Sequence, residues 1–201
     1  MSENLTGLNK AMAYALKHHT GQYRKNSGIP YFTHVVEVMK ALSRCTLEIH
    51  VLTAALLHDI IEDTAETYGD IQLHFGTRVA DIVQECSRDG GDDVTKLQKY
   101  EFLQSFANKS MDAIILKIAD RYCNVNDYIA DGSEEYAAVY AAQAYPLFQA
   151  YFRSAEENPV NQPALYDMIL FMHKHIKEYY PDIDIHNPHK SMQNQMEAIV
   201  L

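Results

Sequence analysis

The chain has 201 residues and carries 27 Asp and Glu against 17 Lys and Arg, a formal net charge of -10. That balance excludes generic binding to nucleic acid or to an anionic membrane surface, both of which need a basic face. A small anionic ligand stays open, because a metal and a few local cations dominate the field inside a pocket. Hydrophobic residues make up 47% and no apolar run reaches the roughly 18 residues of a membrane span, so the expectation is a soluble, cytoplasmic protein. Residues 1–10 are polar and do not form a signal sequence. Cys45, Cys86 and Cys123 are scattered and lack a C-x-x-C, which fits a reducing compartment.

Nearly every segment has helical period. Leu5, Leu8, Met12, Ala15 and Leu16 mark a first amphipathic helix, followed by a basic stretch to the turn Gly28-Ile29-Pro30. Pro30 suits the first position of the next helix, which carries Val35, Val38, Met39 and Leu42. Thr46 is placed to cap a third helix that runs through Leu56 to Asp63. Residues 67–75 read as a short helix stopped by Gly76, and Val79, Ile82 and Val83 carry another. Gly90-Gly91-Asp92-Asp93 is the clearest loop; a helix through Leu97, Tyr100, Phe102 and Phe106 follows. Residues 111–129, 134–155 and 165–180 each read as one helix, and the tail from Pro181 is poorly patterned apart from a weak helix near Met192 to Val200. With no alternating strand and no repeat, the fold class is all-α, a single helical bundle.

The chemistry concentrates in Leu56-Leu57-His58-Asp59-Ile60-Ile61-Glu62-Asp63-Thr64. In an unbroken helix His58 and Glu62 share one face, as do Asp59 and Asp63, and like charges at that spacing repel. A bound cation, a neighbouring base or open water must relieve the repulsion, and we read a cation. His34 and Asp120, each set among apolar residues, complete a candidate set of two imidazoles and two carboxylates. Such a mixed nitrogen and oxygen site suits Mn, Fe, Co or Zn better than Ca. Singly, each of these residues is an ordinary buried polar group with a partner; it is their joint occurrence that points to a metal. The pairs His18/His19, His173/His175 and His186/His189 lack the i, i+4 spacing of a helical metal site. The aromatics at 136, 140, 145, 148, 151 and 152 read as helix packing or a subunit interface.

Tyr31-Phe32-Thr33-His34, Ala54 to Thr64, His74-Phe75-Gly76 and Lys117-Ile118-Ala119-Asp120-Arg121-Tyr122-Cys123-Asn124 together resemble the HD superfamily of metal-dependent phosphohydrolases. Within it, the likeness is to the hydrolase domain of the RelA/SpoT family and its small stand-alone relatives. H…HD…D alone says only HD domain, whereas HD-x-x-ED-T with a downstream F-G and K-x-A-D-[RK] is more specific. The match spans residues 11–130.

The resemblance implies an HD-type hydrolase domain over residues 1–180 and a tail at 181–201. It implies one divalent metal, Mn2+, held by His34, His58, Asp59 and Asp120, with Glu62 and Asp63 positioning and activating the attacking water. The implied reaction removes pyrophosphate from the 3′ position of guanosine tetra- and pentaphosphate alarmones. Arg24, Lys25, Tyr31, Lys117, Arg121 and Asn124 are the implied substrate-binding residues. The partner is then a small nucleotide, with no nucleic acid, no membrane and a homodimer as the candidate assembly. Two features differ from the family pattern: Val35 stands where Pro often follows the first ligand, and the basic residues after Gly90 are reduced to Lys96, Lys99 and Lys109. The alternatives are an HD nucleotidase or phosphatase for another nucleotide or a phosphorylated dinucleotide cofactor, and a catalytically silent nucleotide sensor.

Overall fold

The computed structural model describes residues 2–25, 27–88, 94–157 and 162–182. Helix α1 (Ser2–His18) buries Ala11 and Ala15 against α3 (Ile49–Leu57), and because these small residues set the line of contact, Leu16 is turned out and is 53% exposed. Pro30 precedes rather than opens α2 (Phe32–Leu42): its carbonyl accepts the Thr33 N–H at 3.0 Å and the Thr33 hydroxyl at 2.8 Å. Helix α3 is the hydrophobic centre, buried at every position from Val51 to Leu57. Thr46 does not cap it. Its hydroxyl instead takes the N–H of Glu48, the residue that stands at the N-cap.

The helix expected to continue through Asp63 stops at Leu57 and resumes as the single turn α4 (Ile60–Asp63), with Asp59 between them at φ -101°, ψ -1°. His58 supplies the cause. Its Nδ1 lies 2.9 Å from the Ala55 carbonyl, a side-chain bond that competes with the backbone ladder. Thr67 and Asp70 then cap each other at the start of α5 (Tyr68–Phe75), and Gly76, at φ 87°, turns the chain into α6 (Thr77–Cys86). The Gly90 to Asp93 loop lies outside the described residues.

A second capping box, Thr95 with Gln98, opens α7 (Lys96–Gln104), and a 3-10 turn Ser105–Asn108 buries Phe106. Ser110 caps the long α8 (Met111–Ala130) by accepting the Ala113 N–H at 3.2 Å. The single helix expected over 134–155 is two, α9 (Glu134–Gln143) and α10 (Tyr145–Glu157). The break falls just before Pro146, which fits the first turn of a helix but not its interior. Pro163 likewise opens α11 (Pro163–Tyr179), and the weak helix expected near Met192 lies outside the described residues.

Helices α1, α2 and α6 pack around α3, while α8 packs on α2 and α6 and takes α9, α10 and α11 on its other flank. No strand occurs among the described residues, only an isolated bridge between Tyr23 and Pro30. The fold is all-α. The unit that surrounds α8 also reaches past the motif-bearing residues 11–130.

Candidate metal centre

Three elements bring the site together: α2 carries His34, the α3–α4 break carries His58 and Asp59, and α8 carries Asp120. All four side chains are buried. His34 Nε2 lies 3.2 Å from Asp120 Oδ1, and His58 Nε2 lies 3.7 Å from the same oxygen. Asp59 Oδ2 stands 3.0 Å from His58 Nε2 and 3.8 Å from His34 Nε2. Donor atoms around one transition metal ion, with bonds of ~2.1 Å, sit ~3–4 Å apart, so the spacing of His34, His58 and Asp120 suits an ion, with Asp59 standing beside that group.

Directionality sharpens the case. A carbonyl only accepts, so the contact with Ala55 places the proton of a neutral His58 on Nδ1 and turns the Nε2 lone pair into the cluster. Nε2 is fully buried and faces Asp59 Oδ2 at 3.0 Å and Asp120 Oδ1 at 3.7 Å. Among the described residues, His34, His58 and Asp120 are the group whose donor atoms converge as metal ligands do. Neither His18/His19 nor His173/His175 forms such a group: His18 pairs with Glu66, and His175 meets the Glu134 carbonyl and Glu178. His186 and His189 lie outside the described residues.

Without an ion, protons and cations hold the charges. Burial disfavours charge on His58, but Asp59 and Asp120 outweigh it and push the imidazole up to about 10. Burial would raise Asp120, yet Lys117, His34 and His58 hold it well below the usual carboxylate range. Asp59 is lowered in the same way, against burial, chiefly by His58. Lys117 Nζ reaches Asp120 Oδ2 at 2.9 Å. Although burial opposes its charge, Asp120 and Asp59 raise it above the ordinary lysine value.

The expected substrate residues divide. Arg24 is presented by a tight loop in which Gly28, at φ 68°, lets its N–H return to the Arg24 carbonyl. The guanidinium donates to Asn124 Oδ1 at 2.8 Å and pairs with Asp127, while Asn124 donates to Asp120 Oδ1 at 2.6 Å. Arg24, Asn124 and Asp120 therefore form one continuous polar line along α8. Tyr31 donates its hydroxyl to Asp59 Oδ2 at 2.7 Å, and burial together with Asp59 and Asp63 keeps that hydroxyl protonated. Lys25 is exposed on the same loop. Arg121 is buried with its guanidinium carbon 3.8 Å from the centre of the Tyr140 ring, across the α8–α9 contact.

Glu62 and Asp63 part company at the end of α4. Asp63 is open to water, and the partial burial of its carboxyl, with Asp59 and Glu62 adding to it, raises it to about 7. Glu62 turns instead to Arg88, a residue the sequence did not single out. A lone basic residue just past the end of a helix ordinarily serves the helix dipole, so spacing offered no signal. Gln22 was also missed, because an uncharged side chain in a loop carries no pattern; it donates to the Asp63 carbonyl at 2.9 Å.

Residues 11–149 match the HD domain family. The chain is 36% identical over 136 residues to the bifunctional (p)ppGpp synthase/hydrolase SpoT of Escherichia coli (strain K12), covering 61% of this chain. It spans only 18% of that protein's length. It is 34% identical over 131 residues to the human guanosine-3′,5′-bis(diphosphate) 3′-pyrophosphohydrolase MESH1, covering 63% of this chain and 72% of MESH1. A solved structure of a metazoan orthologue of SpoT, described as hydrolysing ppGpp, superposes with a TM-score of 0.70 at 26% identity. That match covers 84% of this chain and 94% of the other. The chain belongs to the HD domain family and is a relative of SpoT and of MESH1.

Proposed function

We propose that the protein is a metal-dependent 3′-pyrophosphohydrolase of guanosine tetra- and pentaphosphate. The observation that carries the reading is the convergence of the buried His34 and His58 Nε2 atoms on Asp120 Oδ1, at 3.2 and 3.7 Å, with Asp59 Oδ2 3.0 Å from His58 Nε2. His34, His58, Asp59 and Asp120 would hold the ion, and the donor set suits Mn2+. When bound, the ion neutralises charge on phosphate oxygens and makes water a better nucleophile.

The protein's own groups do the rest. Asp63, poised near neutrality, accepts a proton from the attacking water, and Glu62 fixes that water's orientation. As the new O–P bond forms, the bond from phosphorus to the ribose 3′ oxygen breaks. That oxygen takes up a proton, leaving GDP or GTP and pyrophosphate. Arg24 and Asn124 line the approach along α8, with Lys25 and Tyr31 at its edge; a guanidinium there suits a phosphate or the face of a base. Lys117 keeps Asp120 charged and in place.

The three described cysteines are free, in keeping with a reducing, cytoplasmic setting, and among the described residues no helix is long and apolar enough to cross a membrane. Turnover of a nucleotide panel with Mn2+ tests the assignment. Guanosine tetraphosphate should yield GDP and pyrophosphate. Release of inorganic phosphate, or preference for a phosphorylated dinucleotide cofactor, would move the protein to another phosphatase class, and binding without turnover would make it a sensor.

A further inference from the structure

Glu62 sits on a four-residue helix whose neighbours Asp59 and Asp63 are also acidic, so nothing on α4 itself holds its carboxylate still. Arg88 does so from across the site. Its guanidinium donates to Glu62 Oε1 at 2.7 Å and its backbone N–H to Oε2 at 3.1 Å. Both side chains are largely shielded, 19% and 15% exposed, so the charge-assisted bonds are only partly screened. Two donors from one residue, one to each oxygen, fix the plane of the carboxylate as a single donor cannot.

The mounting of Arg88 is rigid. It follows Ser87, a buried residue that closes α6 and whose hydroxyl returns to the Val83 carbonyl at 2.8 Å. Helix α6 in turn packs on α3, the helix that ends at His58. The donor pair and the metal-ligand pair are thus set by the same helix contact.

We propose that Arg88 is a positioning residue for hydrolysis: it clamps Glu62 through both oxygens and aims it at the reacting water. This rests on the reading of the centre as a phosphohydrolase site. Because the guanidinium is engaged with Glu62, Arg88 acts on the chemical step and not on capture of the substrate phosphates.

The full-length chain tests this with Arg88→Gln, Arg88→Lys and Glu62→Gln. With Mn2+ and guanosine tetraphosphate, R88Q should lower kcat by ~10- to 100-fold, the size of effect typical of groups that orient a metal site. KM should stay within about threefold. R88K, which keeps the backbone donor and a cation, should recover most of the loss. A tenfold rise in KM at unchanged kcat would make Arg88 a substrate clamp and overturn the proposal.

A second readout needs no turnover. In metal-free protein, E62Q should shift the Arg88 backbone amide resonance in 1H–15N spectra and speed its hydrogen exchange, because the charged acceptor is gone. An Arg88 amide indifferent to E62Q would also overturn the proposal. Should the parent protein fail to hydrolyse guanosine tetraphosphate, the substrate assignment falls while the amide measurement still decides whether Arg88 clamps Glu62.

Discussion

Lys117 Nζ and Asp120 Oδ2, less than one helical turn apart on α8, form an ion pair of 2.9 Å whose side chains are only 12% and 6% exposed. The lysine thus stands in for part of the charge that a divalent ion would bring. Lys117→Met should leave the buried Asp120 carboxylate without its lysine and destabilise the metal-free fold by about 3 kcal/mol. Urea unfolding measures this, and adding Mn2+ should return much of the loss because the ion takes over the compensation. A metal-free variant as stable as its parent would show that the pair contributes nothing.

Metal binding should release protons. His58 is raised to about 10, so at pH 7 its imidazole is charged and must deprotonate before it can ligate. Titration calorimetry in buffers of different ionisation enthalpy should show about one proton released per Mn2+, and affinity should climb with pH. The same group stabilises the metal-free fold fully below its unfolded value of 6.5, and that contribution is lost as pH rises through about 10. Binding with no buffer dependence would contradict this protonation state.

Tyr31 should matter for the ion without touching it. Its hydroxyl donates to Asp59 Oδ2, and hydrogen bonds to charged groups are worth about 1.5–3 kcal/mol. Tyr31→Phe should weaken Mn2+ binding by ~10-fold and leave the helical circular dichroism unchanged. An unchanged affinity would mean that Asp59 is oriented by other contacts.

Arg24 and Arg121 should separate cleanly. Arg24 is joined through Asn124 to Asp120, so Arg24→Ala should raise KM at least tenfold, the equivalent of ~1.4 kcal/mol or more. Arg121 stacks on Tyr140, and Arg121→Ala should cost about 1–2 kcal/mol of stability through lost packing and cation–π attraction. Its KM should stay near that of the parent. The reverse pattern would place Arg121, not Arg24, against the substrate.

Much of this was legible in the sequence, for identifiable reasons. Apolar residues at helical spacing located the helices, and the acids and imidazoles set among them, His34, His58, Asp59 and Asp120, are indeed buried together. What spacing could not show was any side chain that rewrites the backbone. His58 takes the Ala55 carbonyl and breaks the helix that the 3.6-residue period carries through Asp63. Glu62, on the single turn beyond that break, turns to Arg88, 26 residues further along. Leu16 shows the same limit in packing: the helical stripe placed it on the apolar face, but the close approach at Ala11 and Ala15 leaves it outside. Pro146 was a visible break signal, and the Ala-rich run around it masked the boundary between α9 and α10.

Crystals grown with Mn2+ and examined by anomalous scattering at the manganese edge give the most direct test. A single strong peak enclosed by His34, His58, Asp59 and Asp120 is the predicted result. No peak there, or manganese bound elsewhere while the His58 Nε2 stays empty, would contradict the account.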